Sequence, residues 1–253
     1  MNKRQKLVVG AGCIESIQSY FSENNIENEI LLICAQSMSI YSKVNLLKSS
    51  LHAKYCVTEI IFSAPFLTQD DIDTQLRLLK LKMTKVPDVI VAIGGGTIID
   101  LAKCIKATLG SSIQIFAVPS TAGTGAEATH FATVFENNKK KSIENSDLLP
   151  NLVFLDPELL LLVPLEIAKA CALDTIAQAT ESLWSNLATV ESKQYAELSL
   201  MLSLEYWKES VFTWSLFLSS KRSCHSLESY FYNCCHFYCR WSSRCRSCLE
   251  AIG

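Results

Sequence analysis

The run Asp88 to Lys103, DVIVAIGGGTIIDLAK, constrains this chain more than any other stretch. After Asp88, residues 89–93 are an apolar, largely β-branched series that fits a strand buried on both faces, which requires covering layers above and below. Three glycines then remove every side chain from the turn, and Thr97 with Asp100 forms an S/T-x-x-D pattern at the start of a helix. A strand, a bare turn and a helix in that order suit a βαβ unit of a parallel sheet. Such a turn exposes backbone N–H groups at a positive helix end, as a pyrophosphate requires. A tight strand-to-helix turn with no ligand would have the same letters.

The first 160 residues repeat this alternation. Strands are predicted over 29–34, 58–62, 88–93, 114–118, 133–135 and 152–155, with helical patterns between them. The segment 68–81 opens on Thr68 as a cap and then places Ile72, Leu76 and Leu79 at helical spacing. The polar stretch ENNKKKSIENSD, 136–147, is hairpin-like and reads as a solvated loop. From Pro164, which suits the first turn of a helix, apolar residues recur at spacings of three and four with no glycine through Ser210. A domain boundary is therefore expected near 157–164. The division is an α/β unit over 1–160, a helical unit over 161–210 and a compositionally distinct tail over 211–253.

Composition excludes several function classes. With 49% hydrophobic and 19% charged residues the chain is too apolar to be a disordered tail. Its net charge of −2 supplies no long-range field for nucleic acid or an anionic membrane. The absence of a long uncharged apolar run or a signal-like start predicts a cytoplasmic protein with no membrane span. Cys13, Cys34, Cys56, Cys104 and Cys171 are scattered singly, as reduced intracellular cysteines are.

A second glycine-rich loop, PSTAGTGAEAT, follows the strand at 114–118. Ser120, Thr121 and Thr124 supply hydroxyls around Gly123 and Gly125. A loop whose hydroxyls satisfy its own backbone is the bland alternative. Two such loops after successive strands instead suggest a phosphate-bearing ligand at the C-terminal edge of the sheet.

Four blocks, GGGTIIDLAK, PSTAGTGAEAT, LLPNLVFLDPELLLLVP and ALDTIAQATESLWS, make residues 25–210 resemble the iron-containing (group III) alcohol dehydrogenases, relatives of glycerol dehydrogenase and dehydroquinate synthase. The resemblance implies a Rossmann-like NAD(P)-binding domain followed by an all-helical domain, incomplete here, in the dehydroquinate synthase-like arrangement. Gly94, Gly95, Gly96 and Thr97 would then hold the pyrophosphate, with Asp100 at the family's acidic position. Ser120, Thr121 and Thr124 would line the nicotinamide side, and Lys140, in competition with Lys139 and Lys141, would contact the cofactor.

After the strand at 29–34 the chain has Ala35, Gln36 and Ser37, where NAD users of the family often carry an aspartate. The missing carboxylate leans the expectation toward NADP. Family members also use a divalent metal, iron or zinc, held by an aspartate and three histidines. Asp174 matches the aspartate, but Gln178 stands in the first histidine slot, and an amide oxygen is a poor ligand for those metals. The only later histidines, His225 and His236, fall in the tail. His52 and His130 have no patterned partner, and Glu181 and Trp184 read as helix-face residues. The implied reaction interconverts a small alcohol and an aldehyde by metal-assisted hydride transfer. The string around Gln178 also resembles phosphonoacetaldehyde reductases.

The tail loses all periodicity and holds six of the 11 cysteines. A shifted reading frame explains that change best, and with it a catalytically incomplete chain that still binds nucleotide. Alternatively, Cys245 and Cys248, with Cys234, Cys235, His236 or Cys239, have zinc-site spacing and would make the chain a zinc-binding interaction protein. Loss of covering helices would leave an apolar face on 164–210 and favour homo-oligomers.

Overall fold

In the computed structural model, which describes residues 5–26, 29–83, 85–186 and 188–217, the run 89–94 lies inside a six-stranded sheet. The strand order is β1 (Lys6–Val9), β8 (Leu152–Leu155), β5 (Gln114–Pro119), β4 (Val89–Gly94), β2 (Glu29–Ala35) and β3 (Cys56–Phe62), and every pairing is parallel. Val89 to Ile93 are fully buried, as a strand covered on both faces must be.

Two apolar clusters cover the sheet. On one face Ile30, Leu32, Val91 and Phe116 pack against Phe21 of α1 (Ser19–Glu23) and Val44, Leu47 and Leu51 of α2 (Ser42–His52). On the other, Leu31, Ile33, Ile90 and Ala92 meet Ile72 and Leu79 of α3 (Gln69–Lys82) and Ile99, Ala102 and Ile105 of α4 (Gly96–Leu109). Thr68 caps α3 through a reciprocal pair with Asp71, as its position before the apolar series predicted.

Chain direction fixes where a ligand can sit. From β2 the chain passes to β3 on one side, then returns to β4 and β5 on the other. The strand order therefore reverses between β2 and β4, and a crevice opens beyond their C-terminal ends. Ala35 and Gly94 meet there: a Cβ built on Gly94 would lie 3.0 Å from that of Ala35 and 2.4 Å from Ile98 Cγ1.

Several expectations need correction. Thr97 does not cap α4; Gly95 is the cap residue, in extended conformation, and no side chain bonds the first turn. The polar stretch after Phe135 is not all loop. Residues 139–144 form β7 (Lys139–Glu144), antiparallel to β6 (Phe131–Glu136), because Asn137 and Asn138 take the positive φ values of a two-residue hairpin turn. The edge strand β1 was not anticipated; four residues offer too short a pattern to read. A short helix, α5 (Pro157–Leu160), precedes Pro164, which caps α6 (Leu165–Trp184) instead of lying within its first turn. Finally, α7 (Val190–Phe217) runs past the compositional break at 211. The cysteines and histidines at 224–248 lie outside the described residues.

Helices α6 and α7 pack through small side chains: Thr175, Ala179 and Ser182 on one, Ser192, Ala196, Ser199 and Ser203 on the other. Leu173, Trp184, Val190 and Met201 are more than half exposed, which is the apolar surface expected on 164–210. Among the described residues, no helix is long and apolar enough to cross a membrane.

The cysteines separate by burial. Cys34 and Cys104 are buried, and desolvation pushes their thiols up to about 11 and about 12. Cys56 is exposed. Brief maleimide treatment of the native chain followed by peptide mapping should label Cys56 and leave Cys34 and Cys104 unmodified. Because the folded values lie above the unfolded one, the stability these two thiols provide is intact below about pH 8.5. It is lost as pH rises toward about 11 and about 12, so thermal melts should fall in that window.

Candidate cofactor site

The two glycine loops interlock. A Cβ on Gly95 would stand 3.0 Å from Thr121 Oγ1, and one on Gly96 would stand 3.0 Å from Thr124 Oγ1. The bare turn after β4 is thus shielded by hydroxyls from the loop after β5, and Ser120 N–H donates to the Gly94 carbonyl at 3.0 Å. Because no side chain bonds the first turn of α4, the helix presents its N-terminal dipole to this corner.

Beyond the turn lies a cavity of about 540 Å³. Gly96, Thr97 and Asp100 form its floor, and Thr124, Ala126 and Thr129 one side. Thr133, Phe135, Lys140 and Ser142 come from the β6–β7 hairpin, Phe66 from the loop after β3, and Asp174, Gln178 and Glu181 from α6. The size and the mixture of apolar walls with a few polar groups suit a small-molecule site.

Thus five of the expected cofactor residues do not stand equally near the cavity. Thr124 lines it; Thr121 backs Gly95; Ser120 is buried behind them; Gly94 and Gly95 close the end of β4. Strand periodicity separates the three competing lysines: Lys140 and Ser142 face the cavity, whereas Lys141 on the other side pairs with Glu136. His130 pairs with Glu144 at 3.3 Å and packs on Phe131, outside the cavity lining; His52 ends α2, and Trp184 is exposed. Glu181, expected on a packing or surface face, is in the lining.

The loop carrying Thr124 also packs against α6. Gly123 has φ +124°, and a Cβ there would overlap the Cys171 carbonyl oxygen at 2.2 Å. Gln178 Nε2 donates to the Gly123 carbonyl at 3.4 Å. Asp174, Gln178 and Glu181 follow one another at about one helical turn, so all three point the same way.

Behind the cavity wall is a group that sequence reading missed. Lys103 is fully buried, and its ammonium donates to the carbonyls of Ala126 at 2.6 Å and Phe131 at 2.5 Å and to Thr129 Oγ1 at 3.2 Å. Its Nζ is 3.7 Å from Asp100, whose other carboxyl oxygen accepts from Thr133 N–H at 3.0 Å. Burial lowers the lysine and raises the aspartate, while each charge opposes the shift of the other. Three acceptors around one nitrogen match the three donors of an ammonium, so the charged form fits the site. The signal was present in IIDLAKCI, a lysine three residues after an acid on an otherwise apolar face. Lysine is nonetheless read as exposed by default.

The donor set does not fit iron or zinc. Among the described residues no group of three or more His, Cys, Asp or Glu side chains could hold an ion. The α6 wall offers two carboxylates and an amide without imidazole, and an amide oxygen is a poor donor for either metal. The cradle does fit a dinucleotide: added Cβ atoms at Gly95 and Gly96 would crowd Thr121 and Thr124, and the uncapped helix end faces the same corner.

These features define a doubly wound α/β chain whose glycine-lined crevice faces a helical hairpin. Residues 4–157 match the family model for iron-containing alcohol dehydrogenase, and the chain belongs to that family. It is 33% identical over 143 residues to a phosphonoacetaldehyde reductase of Streptomyces viridochromogenes, covering 47% of this chain and 36% of that protein. An alcohol dehydrogenase of Thermococcus barophilus is 23% identical over 235 residues, 82% of this chain and 60% of its own length. The structure superposes on NADH-dependent butanol dehydrogenase A of Thermotoga maritima with TM-score 0.79 at 16% identity, covering 96% of this chain and 63% of that one. The chain therefore spans less than two thirds of each of these relatives.

Proposed function

We propose that this chain binds NAD(P) as the cofactor half of an oxidoreductase that interconverts a small alcohol and its aldehyde. The observation that carries the reading is the junction of the bare turn 94–96 with the 540 Å³ cavity between α4, the β6–β7 hairpin and α6. Gly94 to Gly96 and Thr97 would receive the pyrophosphate through backbone N–H groups, Thr121 and Thr124 would line the nicotinamide side, and Lys140 would supply the cavity's cationic side chain. Bound nicotinamide supplies hydride chemistry. The chain's own groups would hold the pyrophosphate, with Phe66, Phe135 and Asp100 lining the cavity beyond it. No step is assigned to a metal.

In this reading 1–160 is the cofactor unit and 161–210 the start of the substrate unit. The turn Ala35, Gln36, Ser37 lies at the β2 end of the crevice without a carboxylate, which supports NADP over NAD. The α6 wall faces the cavity with Asp174 and Glu181, so a dianionic phosphonate aldehyde meets like charge there. A neutral short-chain alcohol or aldehyde suits the lining better.

Titration of reduced-cofactor fluorescence tests this reading. The wild-type chain should bind NADPH more tightly than NADH, and Gly96→Val, whose side chain enters the space held by Thr124, should weaken both at least about tenfold with unchanged far-UV circular dichroism. Failure of wild type to bind either coenzyme sinks the proposal. Turnover of small aldehydes would separate a working reductase from a chain that only binds nucleotide.

A further inference from the structure

We infer that Lys103 is a positioning residue for the cofactor cavity: its buried ammonium ties the 126–131 segment to α4 and holds Asp100 in place as a cavity-lining carboxylate. The inference rests on the cofactor reading above and concerns a residue that does not itself line the cavity.

The geometry is that of a strut. Lys103 starts on the buried face of α4, one turn beyond Asp100, and reaches across to three acceptors in a single loop: the Ala126 and Phe131 carbonyls and the Thr129 hydroxyl. Ala126, Thr129 and Phe131 all line the cavity on their other sides. Asp100 is bound from behind by Lys103 and from the hairpin by Thr133 N–H, so both carboxyl oxygens are fixed. A single charge thus sets the distance between the helix that begins at the glycine turn and the loop that follows Gly125. The charged groups around this ammonium are Asp100 on its own helix and Glu127 on the facing loop. Lys140 faces Asp100 from β7.

Buried ammonium with all donors used is structurally demanding. Removing it takes the ammonium donor from two carbonyls, leaving the Ala126 oxygen only the longer Thr129 contacts at 3.4 Å, and leaves Asp100 with Lys140 of β7 as its remaining cation. Removing the Asp100 charge instead leaves the ammonium buried with less compensation, so it loses its proton at lower pH, and neutral amine has two donors for three acceptors.

Both changes are testable on the full chain. Lys103→Met should weaken NADH and NADPH binding at least about tenfold at neutral pH. Amide hydrogen exchange should accelerate over residues 124–133 while the sheet stays protected. Asp100→Asn preserves the Thr133 contact. Relative to wild type its cofactor affinity should fall further as pH rises, because the less compensated ammonium loses its proton before the paired one does.

Lys103→Met binding within about twofold of wild type, with unchanged exchange at 124–133, overturns the inference. So does an Asp100→Asn affinity ratio that is flat with pH, since a purely structural defect lowers affinity equally throughout. Should Lys103→Met fail to fold, the Asp100→Asn ratio decides. Should wild type bind neither coenzyme, the functional reading fails by itself, and exchange at 124–133 in the folded Lys103→Met chain still decides the role of the lysine.

Discussion

Gly123→Ala should lower the thermal midpoint of this chain by more than any other single methyl addition in the crevice. Two penalties combine at that position. The backbone has φ +124°, a conformation that L residues avoid at about 1–3 kcal/mol. The added Cβ would also stand 2.2 Å from the Cys171 carbonyl oxygen and 2.9 Å from its carbon, both in the backbone of α6, where no rotamer change can relieve the overlap. Either the loop or α6 must move. The combined effect should exceed about 3 kcal/mol, or roughly 6 °C or more in midpoint for a chain of this size. Gly110→Ala is the internal control: its φ is +144° but nothing lies within 4 Å of the added atom, so it reports the backbone term alone. Equal shifts for the two substitutions would show that α6 does not rest on the loop as the structure places it. Because Gln178 also bonds the Gly123 carbonyl, displacement of α6 should reshape the cavity and reduce cofactor binding in parallel.

Asp156→Ala should be of comparable size for a different reason. Asp156 is fully buried, and its carboxyl accepts from Gly12 N–H at 3.1 Å, Ile14 N–H at 3.3 Å and Glu158 N–H at 3.1 Å. It therefore caps α5 and anchors the loop after β1 in one group, holding the sheet's edge strand against β8. Alanine removes all three acceptor contacts and leaves buried donors, each unmet donor costing about 1–3 kcal/mol. A total near 3–5 kcal/mol is expected after partial relaxation, read by urea unfolding. Asp156→Asn retains one carbonyl acceptor and should recover part of the loss. If alanine at this position shifts the urea midpoint no more than an exposed control such as Glu23→Ala, the anchor has no energetic role.

The fold was legible where pattern and packing coincide. Fully apolar β4 and the capping pair at Thr68 and Asp71 each encode their structure within a few residues, so local rules sufficed. The hairpin β6–β7 was not legible, because KKKSIE is a charged sequence with weak strand preference. Two adjacent asparagines at positive φ and pairing with an apolar partner strand decide it. Thr97 failed as a cap for a related reason: the glycines let the helix begin two residues earlier than the hydroxyl suggests.

At the site, residue types were legible but their assignments were not. The three lysines of the hairpin are equivalent as letters, and only the alternation of β7 places Lys140 in the cavity. Glu181 reads as an ordinary helix-face acid until α6 is seen against the loop at Gly123. Lys103 and Asp156 are polar residues whose importance lies in burial, a property of neighbours distant in sequence.

The sequence by itself therefore determined a parallel α/β sheet, a bare turn after β4, family membership and the lack of an imidazole in the slot of Gln178. These depend on residue identity and on short-range periodicity. Only the tertiary structure decided which polar groups face the cavity, which lie behind its wall and how α6 rests on the loop. Those relations join segments dozens of residues apart, such as Gly123 with Cys171 and Gly12 with Asp156, and their contact is set by packing that no local pattern records.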